Sequence, residues 1–182
     1  MSVITGGIMH LLKTLLTTGL FSILLSAAFS TSCFAKELGN RLGVGYTDQF
    51  SEPMPSLALR YWPDPKLGFG ADLGVDTQED NAKFGFMVKL YRIIFTEDNL
   101  NFYMGTGAGL ITLEVPNAAN TSTSSDSGFE LTGFCGGEFF FTGLENLGFS
   151  FEAGVGVTSI DSQVRFRTIG QGPMKAGIIF YF

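Results

Sequence analysis

The strongest constraint on this chain is a two-residue rhythm of apolar and small or polar side chains. It is cleanest over residues 147–157, where Leu147, Phe149, Phe151, Ala153, Val155 and Val157 alternate with Gly148, Ser150, Glu152, Gly154 and Gly156. Successive side chains of a strand point to opposite faces, so such a run fits an extended strand and no helix. The rhythm returns in the last stretch, residues 172–182. Met174, Ala176, Ile178, Phe180 and Phe182 share one face; Pro173, Lys175, Gly177, Ile179 and Tyr181 share the other. That stretch runs out on an aromatic residue with no polar tail, whereas the end of a soluble domain is normally polar and frayed.

Eight alternating segments follow one another: 39–47, 56–62, 67–76, 83–95, 100–112, 129–141, 147–157 and 172–182. The end of the fourth, Arg92-Ile93-Ile94-Phe95, blurs the rhythm and predicts a β-bulge. The connections alternate in length. Residues 63–65, 96–99 and 142–146 read as tight turns, and 48–55, 77–82, 114–128 and 158–171 as longer polar loops. Residues 117–128 (NAANTSTSSDSG) are rich in Ser and Thr and read as a loop tip rather than a linker. An even number of strands returns both ends of the sheet to the short-turn side. The pattern predicts one all-β domain, an eight-stranded antiparallel up-and-down barrel, with no second domain and no repeat beyond the hairpins.

Which face points inward is a separate question, and composition helps there. The chain has 24 glycines, 19 phenylalanines and only 15% charged residues. The face that carries the charges also carries most of the strand glycines, which suits a crowded interior better than a solvated exterior. Strands of about ten residues, rising about 3.3 Å per residue and tilted about 45°, span about 23 Å, the height of a lipid-facing band. Aromatics gather near the short turns: Tyr61, Trp62, Tyr91, Phe95, Phe102, Phe141, Phe149, Tyr181 and Phe182 read as an interfacial girdle. The expectation is an inverted barrel, apolar outside and polar within.

The N-terminal segment has the layout of a secretory signal: Lys13 near the start, an apolar run over 11–29, and small residues leading to Ala35. Cleavage after Ala35 divides the chain into a removed segment, 1–35, and a barrel domain, 36–182, with Met1 or Met9 as the start. Two other readings exist. Cys33 as an acylated lipoprotein cysteine is disfavoured by Ser30 where an aliphatic residue is expected, and an uncleaved anchor would have about the minimum spanning length.

Residues 36–182 resemble the small eight-stranded outer-membrane barrels of Gram-negative bacteria, the OmpA, OmpX and opacity-protein type. The likeness rests on strand number, loop asymmetry and the terminal Phe182, and on no loop motif. It implies a multi-pass barrel in the outer membrane with both termini periplasmic. It also implies that Met174, Ala176, Ile178, Phe180 and Phe182 form the signal read by the barrel-assembly machinery. The partners it implies are outer-membrane lipid and lipopolysaccharide, with periplasmic chaperones during biogenesis, and the barrel is expected as a monomer.

Little in the sequence points to catalysis. The single histidine, His10, falls in the signal segment, which leaves no histidine base for a hydrolase of this shape. Cys33 and Cys135 belong to no Cys/His cluster, so no metal site, redox site or cofactor is expected. The net charge of −6 argues against nucleic acid. None of the Gly-x-Gly runs opens a helix, so none reads as a phosphate loop. On the inward face, Arg41, Arg60, Lys89 and Lys175 meet Asp72, Glu130, Glu138 and Glu152; the expectation is a buried ion-pair network, since charges away from water must be paired. Two competing readings are a catalytic pair at Glu138 and Glu152, diagonal neighbours in a lumen too narrow for a sugar, and a gated polar pore. Loop acids such as Glu52, Asp126 and Asp161 read as a solvated rim or as divalent-cation sites near lipopolysaccharide phosphates, which Arg165 and Arg167 would touch. The functional expectation is a non-enzymatic structural or surface-interaction barrel. A narrow pore and a soluble periplasmic barrel holding an apolar ligand are the alternatives.

Overall fold

The computed structural model describes residues 37–48, 50, 52–78, 81–116, 123–161, 163–168 and 175–182. The signal segment with its cleavage site at Ala35 lies outside them, as does Met174. The strands are β1 (Arg41–Thr47), β2 (Ser56–Trp62), β3 (Leu67–Asp76), β4 (Lys83–Glu97), β5 (Leu100–Pro116), β6 (Thr123–Phe140), β7 (Leu147–Ile160), β8 (Gln163–Thr168) and β9 (Lys175–Tyr181). Neighbours are antiparallel throughout. β1 pairs with both β2 and β9, and β7 pairs with β6 and β9, so eight strands close into a barrel with no free edge in the ring. Closure lets the strands of the wall pair on both sides, so none presents a free ladder edge around the ring.

The ninth strand corrects the expected loop over 158–171. β7 runs on to Ile160, a tight turn begins at Asp161 (φ 46°), and β8 returns along Val155–Ile160. The lower half of β7, Leu147–Glu152, pairs instead with β9. β8 and β9 therefore lie along the same side of β7, one above the other. Val164 and Phe166 do alternate with Arg165 and Arg167, but the run is only six residues, Gln163–Thr168, set in a polar stretch that reads as a loop.

The loop tip expected over 117–128 is also partly strand. Thr123–Gly128 pairs with Ile111–Pro116, and Thr112 and Ser127 hydroxyls lie 3.0 Å apart across the hairpin. β4 stops pairing at Leu113 and β7 at Gly128, so the upper ends of β5 and β6 pair only with each other. β1 and β2, by contrast, have 7 residues each. The wall is tall on one side and low on the other. The predicted bulge is present, as a register shift between Ile93 and Phe95 that leaves Ile94 and Phe95 both outward and Ile93 inward.

The inverted facing holds around the ring. On β2, Ser56, Ala58, Arg60 and Trp62 are buried while Leu57, Leu59 and Tyr61 are exposed. Room for the large inward groups comes from glycine across the ladder. Arg60 stands opposite Gly43 and Gly70, Lys89 opposite Gly70 and Gly107, and Tyr91 opposite Gly68 and Gly105. A Cβ on Gly68 would lie 2.6 Å from the Trp62 ring, so a side chain there would collide with the packing.

Candidate functional site: the filled lumen

The interior has three layers. Nearest the short turns, the inward residues Trp62, Tyr91, Tyr103, Phe134, Phe140, Ile179 and Tyr181 pack with Leu38, which precedes β1. Tyr91 meets Tyr103 and Phe134 edge-on, at ring separations of 5.3 and 5.4 Å. Nearest the loops, Met87 and Ile111 pack with Phe50 and Met54, which the β1–β2 connection folds into the mouth. Met54 fills the space left by Gly74 and Gly85, and the Ser56 hydroxyl donates to its carbonyl.

Between these apolar layers lies the ionic one. Arg60 Nη1 is 3.3 Å from Glu138 Oε1, and Arg60 Nη2 is 3.1 Å from Glu152 Oε1 and donates to Ser150 Oγ at 3.3 Å. Lys89 Nζ is 2.9 Å from Asp72 and 3.3 Å from Glu152 Oε2. The Tyr181 hydroxyl donates to Glu138 at 2.8 Å and the Tyr103 hydroxyl to Glu152 at 2.9 Å, while Trp62 Nε1 donates to the Tyr181 oxygen. The Arg60 guanidinium also sits 4.9 Å over the Tyr91 ring, and Lys89 Nζ 5.2 Å over Phe134. Every charge in this layer has at least one opposite charge or hydroxyl partner, as burial demands. Glu138 and Glu152 share one arginine and each accepts from a tyrosine, so they form two corners of one ion-pair cluster.

The structure thus brings together Arg60, Asp72, Lys89, Glu138 and Glu152. Glu130 is fully buried on the same inner face, in register with Gly109 and Thr158. Lys175, in register with Glu152, turns up to Asp48 at 3.3 Å. Arg41 does not join: at the start of β1 it reaches the short-turn rim and donates to Asn146 Oδ1 at 3.1 Å. The expected girdle needs a larger correction. Trp62, Tyr91 and Tyr181 are buried inside the barrel, where they close its lower end, because each occupies an inward position of its strand. Tyr61, Phe95, Phe141 and Phe182 are exposed outside; Phe95 stacks on the half-buried Phe102, and Phe141 meets the half-buried Phe149 edge-on. Cys135 is likewise on the outer face. Of the final-strand set, Ala176, Ile178, Phe180 and Phe182 all point outward.

At the mouth, an open pocket of about 240 Å³ lies between the β5–β6 and β7–β8 hairpins. Arg165 and Arg167 line it, with Glu52 from the β1–β2 connection. Both arginines therefore face into the mouth, and Val164 and Phe166 face outward.

Comparison with known proteins adds the fold. The chain is similar to the crystal structure of the N-terminal β-barrel domain of Pseudomonas aeruginosa OprF, with a TM-score of 0.54 and 12% sequence identity, over 79% of this chain and 98% of that one. At that identity the likeness is one of architecture, a small closed antiparallel barrel. No protein-family model matches the sequence, and no curated protein matches it.

Proposed function

We propose that this chain is an integral outer-membrane β-barrel with a sealed lumen, which acts through its fold and its loop-end surfaces and not through catalysis or conduction. The observation that carries this reading is the outer face. Side chains such as Leu57, Leu59, Phe69, Phe86, Val88, Leu110, Leu131, Ile178 and Phe180 are exposed on all sides of the barrel, while Arg60, Asp72, Lys89, Glu138 and Glu152 are buried. Water would reverse that arrangement; a hydrocarbon solvent favours it. The OprF likeness supports the same location, since that fold is the one seen here. The soluble-barrel alternative needs an apolar cavity, and the middle of this lumen is filled by ion pairs.

In this reading the short-turn end, where β1 begins and β9 ends, faces the periplasm. The outward residues of β9 would be what the barrel-assembly machinery reads, and lipid with lipopolysaccharide surrounds the belt as the barrel's partners. The apolar layers above and below the ionic one support a barrier rather than a pore. Separation of membranes on a sucrose gradient tests the assignment. The protein is expected with the outer-membrane fraction and resistant to high-salt or carbonate washing. Recovery from the periplasmic supernatant would overturn it.

A further inference from the structure

The mouth pocket has chemistry that a lipid-embedded scaffold does not use. Arg167 Nη2 lies 2.7 Å from Glu52 Oε1, so a carboxylate delivered by the β1–β2 connection already occupies one arginine. The occupation is incomplete: among the described residues, no acceptor meets the buried Arg167 Nε. Arg165, two residues earlier on the same inward face of β8, lines the same pocket and is exposed to it. A planar guanidinium donates through Nε and Nη in parallel to an oxyanion with two acceptor atoms, and Glu52 meets only one of those donors. The same pocket is lined by Asp126, inward on β6 of the facing hairpin, and by Asp161 at the β7–β8 turn, with Leu113 and Ile160 as the apolar part of the lining.

From this arrangement we infer that the pocket binds a small zwitterionic solute, its phosphate or carboxylate on Arg165 and Arg167 in exchange for Glu52, and its ammonium toward Asp126 and Asp161. The charge balance decides the class. Two arginines face three carboxylates, so a polyanion is repelled once its first group is seated, and a simple cation finds no site free of arginine. The facing of β8 decides the source. Val164 and Phe166, 73% and 68% exposed, point away from the barrel, and the arginines point into the mouth, where a dissolved molecule arrives and a lipid headgroup does not. Glu52 is then a stand-in carboxylate that marks the anion subsite and competes for it. The site belongs to the loop end and stands whether or not the belt sits in lipid.

The test is a titration of the full barrel chain, 15N-labelled at arginine and folded in detergent micelles, with O-phosphoethanolamine as the probe and arginine Nε–Hε signals as the readout. A saturable shift at Arg165 and Arg167 is expected. Arg165→Gln, at an exposed position, is expected to weaken it about tenfold, and Glu52→Gln to strengthen it several-fold by removing the competitor. Unboiled gel mobility of each variant confirms that it is folded. Absence of a saturable shift in the folded wild type overturns the proposal, as does unchanged binding by Arg165→Gln or weaker binding by Glu52→Gln. Inorganic phosphate binding as tightly as the probe would refute the zwitterion class. A response to phosphatidylethanolamine vesicles with none to the free probe would refute the dissolved ligand.

Discussion

The two ends of the lumen are closed by different parts of the chain. At the short-turn end the seal is made of inward strand positions: Trp62, Tyr91, Tyr103, Phe134, Phe140 and Tyr181, each held by the ladder of its own strand. At the loop end much of it is made of Phe50 and Met54, which belong to a connection and are latched from its two sides, Asp48 to Lys175 and Glu52 to Arg167. The first seal cannot leave without breaking the wall. The second belongs to no strand ladder and is held by side-chain packing and these two ion pairs. The barrel thus has one closure built into its wall and one supplied by a connection, with the ionic layer between them.

The comparison can be broken most severely from the middle. Arg60→Ala leaves Glu138 and Glu152 buried without their shared cation, and a loss of about 3–5 kcal/mol is expected from urea unfolding in lipid vesicles. A variant as stable as the parent would mean that the pairs contribute nothing to the fold. Trp62→Ala, at the strand-borne seal, is expected to cost about 3 kcal/mol through the cavity it leaves. Met54→Ala should cost less, about 2 kcal/mol or below, because a connection can relax into the gap where a strand cannot. The double variant Phe50→Ser with Met54→Ser sharpens the contrast. It is expected to stay electrically silent in planar bilayers, since the aromatic layer below remains; steady single-channel steps would show that the loop was the only barrier. Lys175→Gln sits at the bottom of the scale. Its partner Asp48 is about half exposed, and a change of no more than about 1 kcal/mol is expected.

What the sequence made legible follows the same division. Alternation located the eight wall strands and sorted their residues into two faces, and the glycines and charges gathered on one of them told which face is inward. It also identified Arg60, Asp72, Lys89, Glu138 and Glu152 as inward residues. Distance from a turn proved a poorer guide than facing: Tyr91 and Tyr181 lie on the inward face by count, and only their height near the turns placed them in the girdle. Arg41 shows the reverse case, an inward register so close to the rim that its side chain leaves the lumen for Asn146. Phe50 and Met54 were out of reach, since a connection has no period and an apolar residue in it has no assigned direction. The sequence singles out Glu52, Asp126, Asp161, Arg165 and Arg167 one by one, but not the pocket that brings them together. The pocket's walls are two hairpin extensions, one of them β8, and both fall in polar stretches that read as loops.

The most direct test of the central claim, that the apolar face meets lipid and the charged face fills the lumen, is a cysteine scan along β2. In a Cys135→Ser background, single cysteines at positions 56–62 carry a fluorophore, and a quencher attached to the lipid acyl chains reports contact. Strong quenching is expected at the positions of Leu57, Leu59 and Tyr61 and weak quenching at those of Ala58 and Arg60, a period of two in that phase. The opposite phase, or uniform quenching by a water-soluble reagent at every position, would contradict the account.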